Sequence, residues 1–224
     1  MKCTKSPFGL ASWVGVMSLL LLLWTAARAE EGLLPAQQVV QKTSDTLQAS
    51  LQKPEYKQDF RKATALVEQV IEPHVDFRHI SMLVLGKFWK TATPDQQQRF
   101  EKEFRMLVVR TYTTAFTEYS DWKIRYLPVQ EDAGGKKMVV RTEVLQAGAQ
   151  PVAVNYRMLL EDGNWKVYDV LIEGVSLLQN YRTSFTEEVA RTGSLDQLIS
   201  RLAERNSNAL KEPLTGLPGN PQGS

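Results

Sequence analysis

The chain has 224 residues, with 27 Lys and Arg against 25 Asp and Glu, 43% hydrophobic residues and a single cysteine, Cys3. That length and hydrophobic share suit one domain with its own core, and one cysteine excludes a disulfide framework. The near-balanced charge, with no long run of Lys or Arg, argues against nucleic-acid binding, which calls for a basic stripe or patch, and lends no support to electrostatic adhesion to anionic lipid surfaces.

Lys2 and Lys5 precede an apolar run from Leu10 to Trp24, and Ala27-Arg28-Ala29 follows. This is the charged, apolar and small-residue order of a secretory signal peptide, with cleavage expected after Ala29. The run is shorter than the roughly 20 apolar residues of a spanning helix, so an exported protein without a membrane anchor is expected. Cys3 falls in the discarded leader, so it serves neither as ligand nor as thiol in the mature protein and is misplaced for lipoprotein anchoring. Removing Lys2, Lys5 and Arg28 leaves 24 basic against 25 acidic side chains, a mature net charge of −1. The expected organisation is a leader at 1–29, one domain at 30–210, and a disordered Pro/Gly-rich tail at 211–224.

After Pro35, Val39, Val40, Thr43, Leu47 and Leu51 recur at helical spacing. A second segment from Pro54 carries Phe60, Ala63, Leu66, Val67, Val70 and Ile71 before Pro73 ends it. Phe77, Ile80, Val84, Leu85 and Phe88 mark one face of a short helix opening near Asp76. Thr93, Pro94 and Gln96 then form a helix start: a cap, a proline at the first position and the far half of a capping box. The long helix that follows places Phe100, Phe104, Leu107, Val108, Thr111, Tyr112, Ala115, Phe116 and Tyr119 on one wide apolar face.

From Trp122 the period drops to two, through Trp122 to Tyr126, Met138 to Leu145, Val152 to Met158 and Trp165 to Ile172. Gly134-Gly135, Gly148 and Asp162-Gly163 separate these runs as turns. Connections this short exclude parallel crossovers, so an antiparallel meander is expected. After Gly174 the period is helical again, with Val175, Leu178, Tyr181, Phe185 and Val189 on one stripe, and a last helix from Ser194 carries Leu195, Leu198, Ile199 and Leu202. The fold class is α+β: a curved antiparallel sheet of four to five strands with helices packed against it.

Catalytic templates find little purchase. His74 and His79 lie five residues apart, a turn of roughly 500° on a helix, whereas helical zinc sites use i, i+4 spacing; no metal site is expected. Gly174-Val175-Ser176-Leu177-Leu178 begins like a nucleophile elbow but lacks its closing glycine. Neither a phosphate-binding loop nor a dinucleotide-binding glycine turn is present, so no cofactor is expected. One enzyme alternative is a cone-shaped isomerase using Asp169 and Tyr168, an acid and a phenol in an apolar interior. Strand neighbours point to opposite faces, so at most one of the pair would face a shared cavity.

Two stretches are more specific than any of these patterns: Val84-Leu85-Gly86-Lys87-Phe88-Trp89-Lys90 followed by Ala92-Thr93-Pro94 and Gln96, and Gly163 through Leu177, centred on Glu173-Gly174-Val175-Ser176. On these the chain resembles the MlaC or toluene-tolerance family of periplasmic phospholipid-binding proteins, over a span from about Val39 to Leu202. The resemblance implies a sheet wrapped by helices around a deep apolar pocket for acyl chains, with phospholipid as non-covalent cargo. It also implies a periplasmic location and a shuttle that maintains outer-membrane lipid asymmetry, without being an enzyme. Its partners would be an outer-membrane lipoprotein–porin complex and an inner-membrane ABC transporter with a lipid-binding MCE-domain subunit. The expected pocket residues are Phe77, Ile80, Val84, Phe88, Phe104, Val108, Tyr112, Phe116, Val175, Leu178 and Tyr181, with Val175 foremost. Periodicity alone does not separate a filled core from a lined cavity. Lys87 and Lys90 are read as solvated helix residues before phosphate ligands. A periplasmic chaperone holding hydrophobic polypeptides in a comparable cavity stays open beside the isomerase.

Overall fold

Prolines and short side chains that accept backbone N–H groups set most helix starts. α1 (Pro35–Leu51) and α2 (Pro54–Lys57) each open on a proline, whose missing N–H has no partner to lose in a first turn. Asp59 caps α3 (Phe60–Ile71), accepting from Lys62 N at 3.1 Å. The helical period running from Pro54 is thus two helices, divided where the aspartate offers a local alternative to continued helix. A 3₁₀ turn at Glu72–His74 leads to Asp76, which caps α4 (Phe77–Leu85) by accepting from His79 N at 2.9 Å. These residues belong to the computed structural model, which describes residues 32–118, 121–129 and 135–210. The leader and tail expected at 1–29 and 211–224 lie outside the described residues, as does Tyr119.

Gly86 separates α4 from α5 (Lys87–Thr91), so Phe88 does not continue the preceding helix. Its φ of 54° and ψ of −115° suit glycine and strain any residue carrying a Cβ. α6 (Pro94–Glu118) opens with the expected capping box: Thr93 Oγ1 accepts from Gln96 N at 3.2 Å, and Gln96 Oε1 accepts from Thr93 N at 3.0 Å.

The strands are β1 (Lys123–Tyr126), β2 (Lys137–Leu145), β3 (Val152–Glu161), β4 (Asn164–Ile172) and β5 (Val175–Ser176), ordered along the sheet as in the chain. All neighbours are antiparallel, which makes the sheet an open five-stranded meander. In β2, buried Met138, Val140 and Thr142 alternate with exposed Lys137, Val139 and Arg141, so one face meets the helices and the other water. Register carries that inner face across the sheet: Ile124 lies opposite Val144, Val144 opposite Val152, Val154 opposite Ile172 and Tyr156 opposite Val170. Between β3 and β4 the register slips, with Arg157 opposite Asp169 but Met158 opposite Val167. Tyr168 is the extra residue of a β-bulge, which interrupts strict alternation.

The last two helices are α7 (Leu177–Thr192) and α8 (Leu195–Ala209). Val175 belongs to β5 instead of the helical stripe, because Ser176 caps α7 by accepting from Gln179 N at 3.0 Å. The buried apolar residues form three clusters. One joins α4 to α8 through Val84, Trp89, Phe100, Phe104 and Phe185. A second sets Ala36 and Val40 of α1 on the sheet residues Met138, Val140, Met158 and Val167. A third joins Leu47 and Leu51 to Ala63, Val67, Phe77 and Val109. α1 therefore packs on the sheet with its first half and on helices with its second.

Replacing Gly86 with alanine is expected to destabilise the protein by about 1–3 kcal/mol, the cost of forcing a Cβ into that backbone conformation. The nearest neighbours of such a Cβ are Arg182 side-chain atoms at 3.5 Å or more, so the effect is one of backbone strain and not of crowding. The midpoint of urea unfolding measures it.

Candidate functional site

Residues from all three clusters line a cavity of about 490 Å³. α6 supplies Phe104, Val108, Tyr112, Ala115 and Phe116, which recur every three to four residues on one side of the helix. Opposite them stand the inner-face strand residues Ile124, Val144, Val152, Val154, Tyr156 and Ile172. α1 contributes Val39, Val40, Thr43, Ser44 and Leu47, and α7 contributes Leu177, Leu178 and Tyr181. Val67, Ile71, Val75, Phe77 and Ile80 complete the helical side. Among these lining residues only Ala115 and Val152 are exposed, which marks where the cavity meets solvent.

Side-chain hydrogen bonds close the β1 edge against α1. Gln48 Nε2 donates to Trp122 O at 2.7 Å, Trp122 Nε1 donates to Ser44 Oγ at 3.0 Å, and Gln37 Nε2 donates to Leu127 O at 3.4 Å. An edge strand otherwise leaves backbone groups open to pairing with another chain. A second tie joins the far side: Val75 bridges to Val167, and Asp76 N donates to Val167 O at 3.1 Å.

Among the described lining residues the one carboxylate is Asp169, whose side chain is 1% exposed. Leu178 N donates to its Oδ1 at 3.1 Å, while Ser176 Oγ and Arg157 Nη1 donate to Oδ2 at 2.8 and 3.0 Å. Three donors, one of them cationic, hold the charge in place. The bulge brings atoms of both Tyr168 and Asp169 to the cavity, so the expectation that at most one of them reaches it is corrected. As a proton acceptor for a substrate, however, Asp169 is already committed to the start of α7.

The other polar side chains of the lining include Tyr112, Tyr156 and Tyr181, beside Thr43, Ser44, His74, Gln146 and Tyr168. Burial pushes Tyr156 up to about 12. It likewise raises Tyr112, with a smaller contribution from nearby Tyr181. Tyr181 is raised by burial, against an opposing effect of the Arg110 guanidinium. All three phenols therefore stay protonated near neutral pH. Burial lowers His74 below its ordinary value of 6.5, favouring the neutral imidazole.

Of the residues expected in a pocket, Phe77, Ile80, Phe104, Val108, Tyr112, Phe116, Leu178 and Tyr181 line the cavity. Val84 does not, because it is fully buried in the α4–α8 cluster, against which Phe88 also packs. Val175 lies on the short edge strand and is 46% exposed; the corner directs Leu177 and Leu178 inward in its place. Lys87 and Lys90 are exposed and outside the lining, with Lys87 Nζ over the Phe88 ring at 5.1 Å. Sequence reasoning left the α1 and sheet walls out of the site. The inward alternation of Val152, Val154 and Tyr156 carried that signal, since an inner face opposite an apolar helix is where a cavity would lie.

Among the described residues no group of three or more His, Cys, Asp and Glu is placed to hold a metal ion. An apolar cavity of this volume, within the usual range for small-molecule sites, defines a protein that binds an apolar ligand or the apolar part of a larger one. The chain belongs to the MlaC protein family, whose model matches residues 38–204. It is 25% identical over 206 residues to the intermembrane phospholipid transport system binding protein MlaC of Haemophilus influenzae, covering 90% of this chain and 96% of that protein. It is 30% identical over 165 residues to toluene tolerance protein ttg2D of Pseudomonas putida, covering 72% of this chain and 76% of the relative. Its fold is similar to that of the phospholipid-binding protein from Ralstonia solanacearum, solved in complex with a phospholipid. The TM-score is 0.73 and the identity 33%, covering 80% of this chain and 100% of the other.

Asp169→Ala is expected to lower stability by about 2–3 kcal/mol, through loss of the bonds that Leu178 N and Ser176 Oγ donate to it at the start of α7. The Arg157 pair adds little to that figure, because its guanidinium side chain is 43% exposed and screened by water. Chemical denaturation gives the size of the loss, and hydrogen exchange at the first turn of α7 shows whether it begins there.

Proposed function

We propose that this protein is an exported phospholipid carrier that buries acyl chains in the cavity and leaves the head group at the mouth. The observation that carries the reading is an apolar cavity bounded by α1, α6, α7 and the inner face of the sheet. It is supported by similarity to a protein solved with a phospholipid bound and to a binding protein of an intermembrane phospholipid transport system.

The energetics require such a site. Each buried methylene is worth about 0.8 kcal/mol, so two long acyl chains would cost on the order of 20 kcal/mol if exposed to water. A carrier must match the bilayer interior without greatly exceeding it, or the cargo would never leave. Loading and release then occur by docking against membrane-bound acceptors at the outer and inner membranes. The protein itself consumes no nucleotide and performs no covalent chemistry, consistent with the engagement of Asp169 in fixing α7. Export to the periplasm is supported by the order of basic, apolar and small residues at the N-terminus, and no helix among the described residues is long and apolar enough to cross a membrane.

Protein purified from the periplasm without detergent is expected to release phospholipid on organic extraction. Val108→Glu places a carboxylate in the cavity, where it must ionise in an apolar site or take up a proton, at a cost of several kcal/mol. That variant should retain native-like circular dichroism and lose most of its lipid, whereas Val175→Glu, at an exposed position, should keep a full complement. Recovery of peptide in place of lipid would favour the chaperone reading, and full lipid in folded Val108→Glu would refute burial in this cavity.

A further inference from the structure

Tyr112 and Tyr181 are polar groups on an otherwise aliphatic and aromatic stretch of wall, and neither hydroxyl has a hydrogen-bond partner among the described residues. Tyr181 stands deeper: its ring is edge-on to Phe104 at 5.2 Å and tilted against Phe185 at 5.7 Å, and Phe104 precedes Ala115 on α6 by about 16 Å of helix. Tyr112 follows Val108 by one turn on the lining side of α6 and precedes exposed Ala115 by three residues. At 1.5 Å of rise per residue, its Cα lies only about 4.5 Å along the helix from the residue that marks the mouth.

The position of Tyr112 suits a particular part of a lipid. A phospholipid held with its head group outside carries its glycerol esters just below the mouth and its methylenes farther in. The ester carbonyls are acceptors without protons of their own, and they lose water on entering an apolar site. Leaving an acceptor unpaired there is costly, so a donor at that depth distinguishes an ester from a group of the same shape that lacks the carbonyl. Because the Tyr112 phenol, raised by burial, remains protonated near neutral pH, it keeps that donor. Tyr156 is placed differently: four residues along β3 from exposed Val152, it stands about 13 Å farther along the strand, at the depth of the hydrocarbon chains.

We infer that Tyr112 donates a hydrogen bond to an ester carbonyl of the cargo, so that the site selects diacyl lipids over ether-linked lipids of equal chain length and head group. This rests on the carrier reading and adds a chemical selectivity to it. A neutral hydrogen bond in such a site is worth about fivefold in affinity.

The test uses the mature protein incubated with vesicles containing equal amounts of dipalmitoyl phosphatidylcholine and its dihexadecyl ether analogue, followed by mass spectrometry of the lipid bound to re-isolated protein. Wild type should be enriched in the ester lipid by about fivefold. Tyr112→Phe should load the two lipids nearly equally, and Tyr156→Phe should keep the wild-type ratio. Equal loading of the two lipids by wild type would overturn the inference while leaving the carrier reading intact. Loss of selectivity in Tyr156→Phe would overturn the assignment to α6. Failure of wild type to load either lipid would overturn the carrier reading and this inference with it. The wild-type ratio requires no variant, so the question is settled even if Tyr112→Phe does not fold.

Discussion

The carboxylate of Asp169 holds the sheet and α7 at a fixed separation, and the cavity depends on that tie. By the relation of about 24 cal/mol per Å³ measured for core cavities, an unfilled volume of this order forfeits on the order of 10 kcal/mol relative to a packed interior. The walls therefore need directional bonds, since close packing would draw them together. Asp169 provides one set, accepting from Leu178 N and Ser176 Oγ at the start of α7 and from Arg157 on the neighbouring strand. The bulge at Tyr168 is what sets the carboxylate at that corner. The glutamine and tryptophan bonds along β1 and the Val75–Val167 bridge serve the same purpose on the remaining sides.

The two stretches that most strongly suggested the family both build corners. Gly86 supplies the sharp bend that places Trp89 and Phe88 against the helical cluster, and the residues from Gly163 to Leu177 supply the last hairpin, the bulge and the cap of α7. Neither Val84 nor Phe88 nor Val175 lines the cavity. The second stretch also supplies wall residues, Ile172 and Leu177 among them, but the specificity of both stretches in sequence comes from backbone geometry that few residues satisfy, while a wall facing an apolar cavity tolerates any aliphatic or aromatic side chain of suitable size.

That contrast explains which parts of the molecule were legible. Periodicity revealed the α6 stripe, the strands and the meander, because a half-buried element must repeat its apolar residues at its own geometric period. Asp59 and Ser176 were missed as caps although both are favoured cap residues, since the apolar stripes run past them and hide the breaks. The slip at Tyr168 was likewise invisible, because a single inserted residue leaves alternation intact on each side. Choosing pocket residues from the helices found Val108 and Tyr112 but passed over Val154 and Tyr156 on the opposite wall. No one-dimensional pattern states how far apart two apolar faces are held; that distance is set by bonds between Asp169, Ser176 and Leu178 at one end and between Gln48, Ser44 and Trp122 at the other.

The claim that acyl chains occupy the space between α1, α6 and the sheet can be measured through Trp122, whose buried side chain lines the cavity. Trp89 and Trp165 lie outside that lining, so replacing both with phenylalanine in the mature protein isolates the cavity signal. Loading this variant with phospholipid brominated on its acyl chains should strongly quench Trp122 fluorescence relative to the unbrominated lipid at equal occupancy. Equal fluorescence from the two fully loaded forms would place the chains elsewhere and contradict the account.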